Sequence, residues 1–331
     1  MGVRELTSKF DSLLARVLGH SPSMKERIPY ALGWFKDFII YGTTFTDYFE
    51  IGFYSLKPSE KETYLTQRFA HKFAFSVDTE ESINAHNSKV LEYQKLKPFF
   101  KRDQLSATDC SFEEFAAFTS KHPTFLYKPD QNDCGKGIQK ITVTPETDLH
   151  DLYAQLTQSA AVLDELVIQH PSLEQLSPGS VNTIRIISLK VGSEVHLLAA
   201  AIRTGNGKDP VDNFAMGGVA GAVDLATGTI IADGVDHSNR TYALHPVSQI
   251  PLKGFQIPLW DEVTQLVKDA GQAYDHNYIG WDIAVREKDC VVIEANPRPM
   301  IQLFQVAGNG GKKKVFKEAY KLYQSQERQD H

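Results

Sequence analysis

The sequence contains little cysteine, no excess of basic residues and no long apolar run. Its three cysteines, Cys110, Cys134 and Cys290, are far apart and lack the Cys-x-x-Cys spacing, which excludes a disulfide framework and a structural zinc site and favours a reducing compartment. The 35 basic residues are outnumbered by 41 acidic residues, so the chain lacks the basic surface of a nucleic-acid-binding protein. No apolar run is long enough to cross a bilayer, and residues 1–20 show no cleavable signal pattern. We therefore expect a cytoplasmic protein without nucleic acid or membrane insertion, and the sequence leaves a homo-oligomer open.

The chain shows no internal repeat, and its pattern changes near residue 105. Residues 1–105 predict mainly helices, because apolar side chains recur at helical spacing without a β-α-β alternation. Residues 106–178 predict a smaller unit of strands and helices, and residues 179–331 predict a larger unit that is rich in strands. The strands predicted from the pattern lie at 124–128, 139–143, 165–169, 181–190, 195–204, 221–225, 229–232, 280–286 and 290–295. Antiparallel hairpins packed on helices predict an α+β fold.

A loop that contains glycine follows the strand ending at Lys128, and it closes with Gly135, Lys136 and Gly137. Small residues let backbone N–H groups approach an anion closely, and the lysines would neutralise phosphate charge. The loop is not a Walker A motif, because no Gly-Lys-Ser/Thr is present and a strand follows. An ordinary hairpin with a glycine turn is the alternative. Cys134 lies in this loop, but a nucleophilic cysteine is disfavoured because no particular histidine partner is indicated.

Three oxygen-bearing side chains lie on the last two predicted strands. Asp282 is on the first strand, and Glu294 and Asn296 are on the second strand, two residues apart, so that their side chains share a face. If the strands pair, all three converge, and such a set suits a hard cation such as Mg²⁺. The alternative is the polar face of an exposed hairpin. That alternative fits poorly, because apolar neighbours mark both strands as buried, and buried carboxylates need a partner or a metal.

A third group of polar residues interrupts apolar strands and continues into an irregular loop. Its members are Asn182, Arg185, Arg203, Asp212 and Asn213. Arginines on apolar strands are seldom left without an acidic or phosphate partner. The loop 203–218 is polar and rich in glycine, which favours substrate contacts, and we expect Asp212 to hold or deprotonate an amine there. The alternative is structural: Arg185 or Arg203 pairs with Asp212 or with Asp282.

Taken in order, these segments resemble the ATP-grasp superfamily, and most closely its sugar-transfer-associated branch. The resemblance covers about residues 87–298 and rests on the segments QHPSLEQLSPGSVNTIRI, AAIRTG, VDNFAMGG, GWDIAV and VIEANPRP. It implies an ATP-grasp fold, in which two α+β subdomains grip ATP. The mainly helical residues 1–105 stand where many relatives carry an α/β domain.

The resemblance implies a nucleotide site. Lys89 and Lys128 resemble the two lysines that contact the nucleotide, and residues 130–137 would form the lid over its phosphates. The hinge whose backbone contacts adenine would consist of Val167, Ile168, Gln169 and His170. Glu174 resembles the acid that binds the ribose. From its position alone, His170 is equally a histidine at the edge of the core.

The resemblance also implies a metal and a reaction. Asp282, Glu294 and Asn296 match the ligands of Mg²⁺, with Mn²⁺ as an alternative ion. Arg203 and Arg298 would face the γ-phosphate or an acyl phosphate, while Asn182, Arg185 and Asn213 would contact substrate.

The activity implied is ATP-dependent ligation of a carboxylate and an amine through an acyl phosphate. The substrates would be an amino acid and a sugar carboxylate such as a uronic acid, free or carried on a nucleotide sugar or glycan, in capsule or O-antigen biosynthesis. Two alternatives stay open: an ATP-grasp kinase acting on a small-molecule or sugar acceptor, and a nucleotide-binding scaffold without turnover.

Overall fold

The structure is a computed structural model, and it describes residues 2–85, 88–130, 137–206, 214, 217–306 and 310–328. Its helices are α1 (Val3–Leu18), α2 (Met24–Tyr41), α3 (Phe45–Glu50), α4 (Pro58–Lys61), α5 (Gln67–Val77), α6 (Glu80–Ala85), α7 (Lys89–Phe100), α8 (Phe112–Lys121), α9 (Leu149–Leu156), α10 (Pro171–Leu176), α11 (Trp260–Ala273) and α12 (Lys313–Glu327). Its strands are β1 (Gln104–Ser106), β2 (Thr124–Pro129), β3 (Gln139–Thr142), β4 (Ala161–Glu165), β5 (Thr183–Val191), β6 (Glu194–Thr204), β7 (Val219–Val223), β8 (Gly234–Val235), β9 (Thr241–Tyr242), β10 (Tyr278–Val285) and β11 (Cys290–Asn296). The predicted α+β fold is confirmed. None of the described helices is long and apolar enough to cross a membrane.

The first hundred residues are mainly helical, as predicted, and α1 to α3 form a separate aromatic core. Phe10, Phe49 and Phe53 are buried there beneath α2. Two capping boxes fix the helix starts: Ser23 with Glu26 at α2, and Thr44 with Asp47 at α3. These caps satisfy backbone N–H groups that have no partner inside the helix.

The smaller sheet is antiparallel with the order β1-β4-β2-β3. The predicted strands 124–128 and 139–143 are confirmed as β2 and β3. The strand predicted at 165–169 is wrong, because the strand is β4 and it ends at Glu165. Val167 and Ile168 lie beyond the sheet, and Ile168 is 83% exposed. Helices α8 and α9 cover one face of this sheet.

The larger sheet is antiparallel with the order β11-β10-β5-β6-β7-β8-β9. One face packs on α7 and α11 through residues such as Ile186 and Trp281, while the other packs on α5 and α12 through residues such as Ile187 and Tyr278. The predicted strands at 181–190, 195–204, 280–286 and 290–295 are confirmed as β5, β6, β10 and β11. The hairpin predicted at 221–232 keeps only its first arm, β7, because the second arm is reduced to isolated bridges at Thr229 and Ile230.

Arg102 joins the two sheets. Its fully buried guanidinium lies 2.5 Å from Oδ1 of Asp164 on β4, and it also donates to the backbone carbonyl of Val292 on β11. A buried guanidinium keeps its charge, so it needs several acceptors of this kind. Arg102 therefore fixes one end of the smaller sheet against the edge of the larger sheet.

Candidate active site

A polar patch lies on one face of the larger sheet, and strand register explains why its residues share that face. Asp282 on β10 lies opposite Arg185 on β5 and opposite Glu294 on β11. Directly opposed residues in an antiparallel pair project to the same side. Arg203 on β6 lies opposite Thr183 of β5, two residues from Arg185, so it joins the same face. The predicted pairing of the two strands is therefore present, and it places Asp282 and Glu294 on one face of the sheet.

Asp282 is the centre of a buried ion cluster. It is 2% exposed, and its carboxylate accepts from Nη2 of Arg185 at 2.6 Å and from Nη2 of Arg203 at 3.1 Å. Burial by itself would raise the pKa of Asp282, but the charges of Arg185 and Arg203 outweigh it and the pKa is lowered. The carboxylate is thus ionised at neutral pH. The sequence left open whether Arg185 or Arg203 pairs with Asp212 or with Asp282, and the structure contains the pairs with Asp282. The role of Asp282 as a metal ligand remains a prediction.

Glu294 and Asn296 offer oxygen atoms on the same face. Both side chains are half-buried, and Glu294 has no hydrogen-bond or ion-pair partner among the described residues. Nδ2 of Asn296 donates to the carbonyl of Gly280 at 3.3 Å, so the amide oxygen is the end left for another ligand. A half-buried carboxylate beside an amide oxygen suits a hard cation. These two residues therefore fit the predicted metal site.

Glu92 on α7 belongs to the same site, although the sequence analysis did not identify it. It is 7% exposed, and its Oε1 accepts from the backbone N–H of Ala295 at 2.5 Å. Burial, and next the charge of Glu294, raises the pKa of Glu92 to about 8, while Lys128 and Lys89 oppose the shift. The electrostatic influence of all three side chains on Glu92 indicates that residues from α7 and both sheets meet here.

The position of Glu92 on the helix could have identified it as a buried acid. It shares the buried face of α7 with Leu96 and Phe100, in the i, i+4, i+8 spacing of an apolar stripe. A carboxylate in such a stripe needs a partner. That partner is the backbone of β11, which the local sequence of α7 does not reveal.

Lys128 lies on β2 with its Nζ 2.5 Å from Oδ2 of Asp164. Burial alone would raise the pKa of Asp164, but Arg102 and Lys128 lower it to about 2. Asp164 therefore holds a permanent negative charge between two cations. This carboxylate, which the sequence analysis also missed, fixes the position of the predicted nucleotide lysine.

The predicted hinge is fixed by an amide network. Nε2 of Gln169 donates to Oε2 of Glu174 at 2.6 Å, and Oε1 of Gln169 accepts from Nδ2 of Asn182 at 2.9 Å. Nδ2 of Asn182 also donates to the carbonyl of Leu173. Three residues predicted to contact nucleotide or substrate thus contact one another and fix α10 beside the hinge.

The hinge also joins the larger sheet. The backbone N–H of His170 donates to the carbonyl of Val285 at 2.7 Å, while its Nδ1 lies 2.9 Å from Oγ of Ser172 at the start of α10. Val167 is half-buried, and Ile168 projects into solvent. The backbone of this segment therefore runs from β4 to the end of β10, with one apolar side chain exposed beside it.

The remaining predicted residues are the closing residues of the glycine loop, two residues of the loop 203–218, Lys89 and Arg298. Gly135, Lys136, Asp212 and Asn213 lie outside the described residues, whereas Gly137, the end of the predicted lid, is described with a positive φ of 75°. Lys89 begins α7.

Arg298 is exposed and has no ion pair with any described residue. Its segment folds back over Gly280, where an added Cβ would lie 2.5 Å from Cβ of Pro299. Only glycine permits this close approach, which keeps Arg298 next to the strand ends that carry Glu294 and Asn296.

The chain belongs to the sugar-transfer associated ATP-grasp family, whose model matches residues 59–320. The resemblance and the ATP-grasp fold expected from the sequence are thereby confirmed. A search of curated proteins found no match.

Solved structures of ATP-grasp ligases are similar to the chain at low identity. PsnB with its minimal precursor is 14% identical with a TM-score of 0.43, and the match covers 73% of this chain and 62% of PsnB. A RiPP-associated ATP-grasp ligase from Chryseobacterium gregarium, solved with ADP and a leader and core peptide, is 13% identical with a TM-score of 0.43 over 75% of this chain and 62% of that one. D-alanine–D-alanine ligase from Bacillus anthracis is 13% identical with a TM-score of 0.42 over 74% and 69% of the two chains. The chain thus spans less than two thirds of the length of the first two ligases.

Proposed function

We propose that the protein is a cytoplasmic, ATP-dependent carboxylate-amine ligase that forms an amide through an acyl phosphate. The acid is a sugar carboxylate such as a uronic acid and the amine is an amino acid, in capsule or O-antigen biosynthesis. The observation that carries the proposal is the convergence of Lys128, Glu92, Glu294 and the Asp282 cluster where the two sheets meet. The proposed units are a helical region at 1–105, a lid subdomain at 106–178 and a metal-binding subdomain at 179–331.

The nucleotide would lie between the two sheets. Lys89 and Lys128 neutralise its phosphates, and residues 130–137, with Gly135, Lys136 and Gly137, cover them. The backbone from Val167 to His170 contacts adenine, and the exposed side chain of Ile168 offers it an apolar surface. The carboxylate of Glu174 accepts hydrogen bonds from Gln169 and from the backbone N–H of Gly179. The lone pairs that remain on its oxygens would accept from the ribose hydroxyls.

Glu294 and Asn296 would hold a magnesium ion, and Asp282 joins them if an arginine is displaced. Mg²⁺, or Mn²⁺ in its place, neutralises phosphate charge that develops during transfer when it is bound here. Arg185 and Arg203 are both oriented by Asp282, and the arginine that keeps this contact presents positive charge to the same space.

The reaction proceeds in two displacements. An oxygen of the acid attacks the γ-phosphorus of ATP, the bond to the β-phosphate oxygen breaks, and ADP leaves. Arg203 and Arg298 stabilise the charge on the transferred phosphoryl group. The amine then attacks the acyl carbon, phosphate leaves, and the amine gives up its proton, for which Asp212 is the proposed acceptor. Asn182, Arg185 and Asn213 orient the substrates, and no side-chain nucleophile is required.

The test is an ADP-release screen of uronic-acid sugars against the common amino acids, with product analysis. The ligase proposal requires an amide with ADP and phosphate. A phosphorylated acceptor with ADP would instead indicate a kinase, and the absence of ADP with every pair would indicate a scaffold.

The variant Glu294→Gln keeps size and removes one charge, so turnover should collapse. The matched control is Glu287→Gln, which changes an exposed glutamate in the turn at the other end of the same hairpin and should leave turnover unchanged. ADP release by Glu294→Gln within about threefold of wild type would remove Glu294 from the metal site.

A further inference from the structure

Helix α2 carries a stripe of large apolar side chains on its outer surface. These are Met24, Ile28, Leu32, Phe35 and Ile39, which are 65%, 54%, 65%, 55% and 66% exposed. Their spacings of four, four, three and four residues place them within one narrow arc of the helix. We call these five residues the α2 stripe.

None of the α2 stripe residues belongs to the aromatic core that the described residues of α1 to α3 form. The opposite side of α2 makes the intramolecular contacts: the ring of Trp34 lies 4.3 Å from that of Phe45, and Asp37 forms a buried ion pair with Lys61. Five large apolar side chains, each more than half exposed, leave apolar surface on the order of several hundred Å² in solvent, which is the size of the largest patch on a typical monomer. Patches of this size mark contact with a partner or with a membrane surface.

The two exposed charges that α2 itself places beside the stripe are both positive. Lys25 and Lys36 flank it and are exposed, whereas the two acids of α2 are engaged elsewhere. Asp37 is turned inward toward Lys61, and Glu26 caps the helix through Ser23. Residues 1–41 carry six basic and four acidic side chains, although the whole chain has a net charge of −6. The outward surface of α2 is thus apolar at its centre and basic at its edge.

We propose that the α2 stripe adsorbs on an anionic lipid surface. The helix lies in the plane of the bilayer, its five apolar side chains enter the boundary between headgroups and acyl chains, and Lys25 and Lys36 contact anionic headgroups. With 18 residues, α2 is about 27 Å long, so that several lipids fit along it. This is adsorption on a membrane and not insertion across it.

Charge also argues against a second copy as the occupant. The spacing of the α2 stripe is nearly symmetric about Leu32, so an antiparallel two-fold pair would match Met24 with Ile39 and Ile28 with Phe35. The same two-fold would place Lys25 of each copy beside Lys36 of the other copy. Like charges in such positions destabilise the pair, whereas an anionic surface attracts both lysines.

The experiment is co-sedimentation of the full chain with vesicles of phosphatidylcholine alone or of phosphatidylcholine with phosphatidylglycerol. Wild type should pellet with the anionic vesicles, and less at raised salt. Leu32→Glu and Phe35→Glu should each weaken this binding about tenfold or more, because each removes a large apolar side chain from the boundary. The double variant Lys25→Gln, Lys36→Gln should bind the vesicles with phosphatidylglycerol about tenfold or more weakly than wild type. Its binding to vesicles of phosphatidylcholine alone should not change.

The matched control is Leu322→Glu on α12, whose leucine is 49% exposed on another face; its binding should equal that of wild type. Unchanged melting temperatures show that the variants fold. The proposal is overturned if wild type does not pellet with anionic vesicles, or if Leu322→Glu loses binding equally. It is also overturned if wild type binds neither kind of vesicle and Leu32→Glu converts a dimer to a monomer in sedimentation velocity. That result would assign the α2 stripe to contact with a second copy.

Discussion

Replacement of Asp282 by asparagine separates structural from catalytic roles in the polar patch. The side chain keeps its size but loses the charge that neutralises Arg185 and Arg203. Both guanidiniums are largely buried, with 8% and 16% of their side chains exposed. Arginine cannot release its proton at neutral pH, so the variant leaves two buried cations without their carboxylate.

The cost follows from this uncompensated charge. Removing one partner of a buried ion pair destabilises a protein by about 3–5 kcal/mol. With an unfolding entropy of about 2.1 cal/mol/K per residue over 331 residues, that corresponds to a fall in melting temperature of about 4–7 °C. Glu294→Gln is the comparison, because Glu294 has no partner among the described residues, and its replacement should shift the melting temperature by about 1 °C or less.

The assay is thermal unfolding of wild type, Asp282→Asn and Glu294→Gln in the same buffer without nucleotide, followed by ADP release. We expect Asp282→Asn to lose both stability and activity, and Glu294→Gln to lose activity alone. A melting temperature of Asp282→Asn within 1 °C of wild type would refute the reasoning, since it would mean that the arginines do not depend on Asp282.

Three further predictions concern other parts of the site. Lys128→Ala should raise the dissociation constant for ATP about 10–150-fold, because a charge-assisted hydrogen bond contributes about 1.5–3 kcal/mol. The control is Lys140→Ala, which changes an exposed lysine on β3 and should leave the dissociation constant unchanged. Calorimetry compares the two variants, and equal affinities would exclude Lys128 from the nucleotide site. The urea concentration at which half of the wild-type protein is unfolded should decrease as the pH rises from 5 to 8. Burial raises the pKa of Glu92 to about 8, so the folded state retains a proton in this range that the unfolded chain has lost. Glu92→Gln should remove this decrease, and an unchanged decrease would contradict the raised pKa of Glu92. Asp212→Asn should slow amide formation at unchanged ATP affinity, whereas a joint loss of melting temperature and ATP affinity would indicate a structural role, and unchanged amide formation would end the acceptor hypothesis.

The β10–β11 hairpin was predictable because its information is local. Apolar residues on both sides of Asp282 and Glu294 marked buried strands, and the spacing of Glu294 and Asn296 fixed their common face. The α+β fold followed from the same kind of pattern. The strand at 165–169 was mispredicted because Val167 and Ile168 favour a strand locally, although none of the described strands pairs with them.

Asp164 and Glu92 could not be predicted in the same way. Each carries out its role through a residue distant in sequence: Asp164 through Arg102, and Glu92 through the backbone of Ala295. An isolated acid on a strand or helix does not reveal which cation or N–H group will lie beside it. The contact depends on how α7 and the two sheets approach each other, which residue patterns do not encode locally.

The link through Arg102 determines how the smaller sheet can turn. Asp164 lies on β4, next to the β1 edge, and Arg102 ties it to β11. If the smaller sheet rotates as a rigid body and keeps this contact, the part of β4 around Asp164 stays nearly stationary. The displacement then increases across the sheet from β4 through β2 to β3. β3, which is the strand farthest from this corner in the order β1-β4-β2-β3, is then displaced most. A small angular change at Arg102 therefore produces its largest linear displacement at β3, whereas Lys128, whose Nζ contacts Asp164, is displaced little.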